Sequence, residues 1–124
     1  MGRRGFTLLE ILVTISLFSL IIFISMPVLS RFKNALLLKI TVQKVSSDLR
    51  ARQLAALVKK TTLNYQVSSA GQLPGGLKLI SDKKIVFSGN GLPIPGGSGT
   101  QILGNNYGKQ GKIIVSSQGR IRIE

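Results

Sequence analysis

The chain carries four acids, Glu10, Asp48, Asp82 and Glu124, and neither histidine nor cysteine among its 124 residues. That inventory removes the commonest general base and metal ligand, and any thiol nucleophile or disulfide. The acids stand far apart in sequence, so a paired-carboxylate centre or a metal cage would need folding to gather them. No catalytic residue, metal site or cofactor is expected, and the chain reads as a non-enzyme. Gly104-Asn105-Asn106-Tyr107-Gly108-Lys109 has a Gly-Lys flavour. Its spacing is one residue short of a phosphate-binding loop, and Gln110 replaces the Ser or Thr, so it reads as a plain loop.

Two other features carry chemistry. Glu10 is the single charge between Gly5 and Ser30, just inside a long apolar run, where a carboxylate is costly and therefore calls for a partner. At the far end, Gly119-Arg120-Ile121-Arg122 places two guanidinium groups two residues apart. On a strand they share one face about 7 Å apart, close to the phosphate spacing along a nucleic-acid strand. The net charge of +13 points the same way, toward anionic partners such as nucleic acid, lipid headgroups or acidic polymers.

The elements that must position these residues follow from pattern. Arg3 and Arg4 precede the apolar run, so the positive-inside bias keeps the N-terminus cytoplasmic and sends the rest across the membrane. Ile11–Leu29 is apolar enough and close to the length that spans a bilayer. A cleaved secretory signal fits poorly, because Ser25-Met26-Pro27-Val28 is a weak site at best. Pro27 predicts a kink or local melting around Phe23–Pro27. From Val28 to about Lys60 the pattern becomes amphipathic, with Phe32, Ala35, Leu38, Val42, Val45, Leu49 and Ala56 on one stripe.

After Lys60 the chain reads as strands. Thr61–Val67 is one, with Leu63, Tyr65 and Val67 on one face. Leu77–Ile80 and Ile85–Phe87 suggest a hairpin around Ser81–Lys84. Residues 88–111, rich in Gly, Pro, Asn and Ser, read as a long loop with one short strand near Gln101–Leu103. Lys112–Ser116 and Arg120–Glu124 form a hairpin around Ser117-Gln118-Gly119, with Gly119 left-handed, Val115 opposite Ile121 and Ile113 opposite Ile123. The expected class is α+β: a long N-terminal helix, apolar in its first half, with a small antiparallel sheet on its C-terminal half. The parts are a leader (1–5), a membrane or filament-core helix (6–30), an amphipathic helix (31–60) and a β-rich head (61–124).

The leader, Gly5-Phe6-Thr7-Leu8-Leu9-Glu10 and the apolar run together resemble the class III signal of type IV pilins and type II secretion pseudopilins. The resemblance implies cleavage between Gly5 and Phe6 by a prepilin peptidase, then methylation of the new Phe6 amine. It implies that Glu10 pairs with the Phe6 amine of an adjacent subunit, and that Pro27 belongs to the assembly helix. Partners implied are other pilin or pseudopilin subunits, the peptidase/methylase, an inner-membrane assembly platform and the lipid bilayer. The implied location is the bacterial inner membrane, single-pass with a periplasmic head, and then a pilus or pseudopilus filament.

Asp48-Leu49-Arg50-Ala51-Arg52-Gln53-Leu54-Ala55, Lys59-Lys60 and the closing Gly119–Ile123 look like the H-type minor pseudopilins and FimT-like minor pilins. The acid that family carries shortly after Arg52 is absent, and Gln53 or Leu54 stands there. The leading reading is thus a structural minor subunit of a pseudopilus or type IV pilus. The alternative is a DNA-binding minor pilin acting in DNA uptake. FimT-like pilins involved in transformation use a C-terminal Gly-Arg-x-Arg motif, which Gly119-Arg120-Ile121-Arg122 matches. This resemblance implies that Arg120 and Arg122 contact phosphate, while Lys109 and Lys112 extend the patch and Tyr107 stacks on a base. The competing explanation for the arginines is a solvated strand face that discourages edge pairing. A plain membrane anchor leaves the Gly-Phe motif unexplained.

Overall fold

A computed structural model describes residues 5–69 and 71–124. It is an α+β, pilin-like arrangement of one long helix and two antiparallel sheets. The chain divides into two compact units, Met1–Lys33 and Asn34–Glu124. The leader residues Met1–Arg4 lie outside the described residues.

The helix α1 (Leu8–Lys59) runs through both units. In the first unit its side chains are exposed on every face and apolar nearly all round, the pattern of a helix suited to a membrane or to a packed helical core. It is long and apolar enough to cross a membrane. The hydroxyls of Thr14, Ser16, Ser19, Ser25 and Ser30 each donate to a carbonyl one turn back, at 2.8–3.2 Å. The melting expected around Phe23–Pro27 does not occur. Pro27 sits inside continuous helix and removes one amide donor, the one that would reach the Phe23 carbonyl.

In the second unit, α1 buries Leu38, Thr41, Val42, Val45, Ser46, Leu49 and Ala56. This is most of the expected stripe, with two corrections. Phe32 is exposed and Ala35 only half-buried. Thr41 and Ser46 are buried instead; Thr41 turns its hydroxyl onto the Leu37 carbonyl at 2.8 Å, which removes the cost of hiding it. The helix stops at Lys60, which is left-handed (φ 49°), while the Thr61 amide donates to the Ala56 carbonyl at 3.3 Å. That six-to-one closure is a Schellman ending.

Strand β1 (Leu63–Tyr65) pairs antiparallel with β3 (Ile85–Phe87), in the register Leu63 with Phe87 and Tyr65 with Ile85. The larger sheet runs β2 (Leu77–Ser81), β4 (Gly99–Asn105), β5 (Gln110–Val115), β6 (Ile121–Ile123). Leu49, Ile85, Phe87, Leu103 and Ile113 are fully buried where the α1 stripe meets both sheets. Gly111 lets β5 close on the helix: a Cβ there would sit 2.5 Å from Val42 Cγ2.

Three strand expectations are corrected. The strand expected over Thr61–Val67 is shorter and gives way to a 3₁₀ turn at Val67–Ser69. Leu77–Ile80 and Ile85–Phe87 do not form a hairpin; β2 pairs with β4 and β3 with β1. The Ser81–Lys84 link instead crosses between sheets. It is pinned by Asp82, whose carboxylate accepts the Val67 and Ser68 amides at 3.0 and 3.2 Å. Without Gly or Asn it lacks the residues a tight hairpin turn demands.

The short strand expected near Gln101–Leu103 is present but longer, as β4, which occupies seven residues of 88–111. Strand β5 begins at Gln110, so less of this stretch is loop than expected. Two polar residues of this stretch have buried tasks. Gln101 donates to the Lys83 carbonyl at 3.3 Å, and Asn105 Oδ1 accepts the Tyr107 and Lys109 amides at 3.1 and 2.9 Å. The β5–β6 hairpin forms in the expected register: Val115 faces Ile121, Ile113 faces Ile123, and Gly119 is left-handed (φ 78°).

Candidate functional site: the helix start and the outward sheet face

Gly5, Phe6 and Thr7 precede the helix without regular structure and are exposed. A Cβ on Gly5 would meet nothing within 4 Å. Among the described residues, then, no packing contact requires glycine there. Phe6 is 79% exposed, so its ring takes no part in the fold.

Thr7 and Glu10 form a reciprocal cap on the first turn. The Glu10 amide donates to Thr7 Oγ1 at 3.3 Å, and the Thr7 amide donates to Glu10 Oε2 at 3.3 Å. The Thr7 hydroxyl also donates to Glu10 Oε2 at 3.4 Å. This is the Thr-x-x-Glu capping box, in which each side chain satisfies an amide that has no partner within the helix. The carboxylate also lies at the positive end of the helix dipole. Glu10 is thus held pointing back toward residue 6, one peptide bond from the Thr7 amide it accepts. The reading from sequence found the acid and missed its partner, although the threonine three residues upstream is the standard signal for it.

At the other end, Arg120 and Arg122 are both exposed. Arg120 precedes β6, where the Ser116 amide donates to its carbonyl at 2.9 Å and its own amide donates to Ser116 Oγ at 3.2 Å. Arg122 lies opposite Ile114. Lys112 lies opposite Ile102, and its amide and carbonyl bond those of Glu124 at 2.7 and 2.8 Å. Alternation then places Arg120, Arg122 and Lys112 on the outward face, since Ile113 and Val115 point into the core.

Tyr107 and Lys109 sit in the β4–β5 turn, braced by Asn105. That turn is at the opposite end of β5 from Gly119, so the five anion-binding candidates do not converge on one point. Instead they extend along the sheet. Gln53, where the resembling family carries an acid nearby, donates from Nε2 to the Gly91 carbonyl at 2.8 Å and the Gly119 carbonyl at 3.3 Å. It ties the turn before Arg120 to α1, a task that needs a donor.

A separate polar cleft lies among Arg52, Asn64, Tyr65, Gln66, Ser69 and Lys84. Tyr65 is buried with its hydroxyl unpartnered. Burial, with the negative field of Asp48 and against that of Arg52, pushes its phenol up to about 12. Among the described residues no three His, Cys, Asp or Glu side chains group to hold a metal ion.

Residues 1–26 match the family model for the prokaryotic N-terminal methylation motif. No curated protein and no solved structure matches the chain.

Proposed function

We propose, from the premise that this chain carries a class III prepilin signal of the type IV pilin and pseudopilin kind, that it is a minor structural subunit of a type II secretion pseudopilus or type IV pilus. The observation that carries the reading is the match over residues 1–26, joined to a helix whose apolar first half is exposed all round. A prepilin peptidase cleaves between Gly5 and Phe6 and the Phe6 amine is methylated. The mature chain is anchored in the inner membrane with its N-terminus cytoplasmic and its head periplasmic, until the assembly platform extracts it.

Glu10 then has a physical role. A carboxylate within a membrane segment costs a few kcal/mol, roughly 2.5–3.5 for Asp on insertion scales. Its capping bonds to Thr7 hold it toward residue 6 but leave its charge uncompensated. The Phe6 amine of a neighbouring subunit neutralises it, so the pair forms in the filament and sets axial register. The chain does no chemistry in this scheme, in keeping with a composition that lacks histidine and cysteine.

Mass spectrometry of the chain from cells with an active peptidase should find N-methylated Phe6 as the first residue; an intact Met1 would overturn the reading. Glu10→Ala should lower incorporation into filaments while leaving the head folded. The second reading, DNA binding, is favoured by the exposure of Arg120 and Arg122 on one face beside Lys112. Loss of DNA binding in Arg120→Ala with Arg122→Ala would support it, and no effect would end it.

A further inference from the structure

We propose that the outward face of the four-stranded sheet carries a diagonal cationic track, Arg120–Arg122–Lys112–Lys78, that follows the phosphodiester backbone of a nucleic-acid strand. The inference rests on the DNA-binding reading and extends it beyond the C-terminal hairpin to Lys78, which belongs to the opposite edge strand.

The register gives the layout. Lys78 on β2 pairs with Gly104 on β4, which pairs with Gln110 on β5. Lys112 is two residues on from Gln110, on the same face, and pairs with Ile102. Arg122 pairs with Ile114, again two residues further. Arg120 completes the line across from Ser116. All four cations are exposed, while the alternate residues Leu77, Ile113 and Val115 are buried.

With strands about 4.8 Å apart and alternate residues about 7 Å apart, Arg120 to Arg122 is about 7 Å and Arg122 to Lys112 about 8 Å. Lys112 to Lys78 crosses two strand spacings and is about 12 Å. The cations therefore descend one row at each step, along a single oblique line across the sheet.

The surroundings favour a backbone ligand. Ile102 and Ile114 flank the track on one side and Glu124 on the other, opposite Lys112. No aromatic side chain belongs to this outward row, so there is no platform on which bases would stack. The expected contact is with phosphates and independent of sequence. Between Lys112 and Lys78 the Ile80 side chain lies over Gly104, its Cδ1 2.7 Å from where a Cβ would be, so a strand following the track crosses an apolar step there.

The test uses the full chain in non-ionic detergent and a fluorescein-labelled single DNA strand of mixed sequence, read by anisotropy across a salt series. Four phosphate contacts predict a log–log salt slope near about −2.8, a loss of about 50-fold in affinity from 50 to 200 mM salt. Lys78→Gln should flatten the slope by about 0.7, to a loss of about 20-fold, and Lys78→Arg should restore it. Lys112→Gln should act alike, and Lys44→Gln, on the exposed side of α1, should leave the slope unchanged.

If Lys78→Gln leaves the slope unchanged while Arg120→Gln with Arg122→Gln flattens it, the track fails and the DNA reading stands. If the unaltered chain does not bind, both fail. If Lys44→Gln matches Lys78→Gln, the binding is diffuse and the track is refuted. Competition by poly-glutamate as strong as by DNA would replace the nucleic acid with an acidic protein partner.

Discussion

Replacing Gln53 by glutamate tests how the turn before Arg120 is held. The amide nitrogen bridges two carbonyls from separate loops, Gly91 at 2.8 Å and Gly119 at 3.3 Å, and Gly91 is buried. Glutamate fits the same space but presents an oxygen acceptor to two acceptors. Each lost bond is worth about 0.5–1.5 kcal/mol, and a buried carbonyl left without a donor adds to that. Gln53→Ala should therefore cost about 1–3 kcal/mol. Gln53→Glu should cost more, because its charge also repels the carbonyl dipoles. For a domain of this size each kcal/mol lowers Tm by about 4–8 °C. Thermal unfolding followed by circular dichroism at neutral pH should rank the chain above Gln53→Ala, and Gln53→Ala above Gln53→Glu. Acidification should narrow the last gap, since a protonated carboxyl can donate once. A Gln53→Glu variant as stable as Gln53→Ala, or more so, would refute the donor argument.

Thr7→Val should remove the cap and cost about 0.5–2 kcal/mol of helix-start stability, seen as faster amide exchange in the first turn. Glu10→Gln should keep exchange slow, because an amide oxygen can still accept, yet still fail in filament incorporation; normal incorporation would separate the charge from assembly. Tyr65→Phe removes a buried hydroxyl without a partner and should leave stability equal or higher. The raised phenol gives a pH signature: the unfolded chain ionises near 10 and the folded one near about 12, so stability should fall as pH rises through that window. Urea titrations at pH 9 and 11 should show the fall, and Tyr65→Phe should lack it. Gly111→Ala should cost about 1–3 kcal/mol by forcing a methyl against Val42, measured as a lowered urea midpoint.

The long helix, its stripe and the last hairpin were legible because their signals are local and periodic. Ile113, Val115, Ile121 and Ile123 can meet in one register alone if apolar is to face apolar. The pairing of β2 with β4 was not legible. It depends on a distant partner, and only the middle of β4, near Gln101–Leu103, reads as a strand, because Gly99, Gly104 and Asn105 ordinarily mark turns. Gly99, Gln101, Gly104 and Asn105 serve there as close-approach points and buried hydrogen-bonding groups. At the helix start the glutamate drew attention as a misplaced charge, while Thr7, which orients it, passed as one more residue of a motif. Lys78 was invisible as a companion of Arg122, since only the sheet order brings their rows together.

The serine and threonine hydroxyls along the first half of α1 have a mechanical consequence. Each is already bonded to its own helix, so a neighbouring helix meets a surface with almost no directional bonds to offer. Such a surface resists sliding and rotation weakly, and many axial offsets against a neighbour are close in energy. In the proposed pairing with a neighbour's Phe6 amine, the carboxylate of Glu10 would break that degeneracy at a single height. Under that proposal a subunit would travel along its neighbours with little friction and stop at one position, as insertion from a fluid membrane into an ordered stack requires.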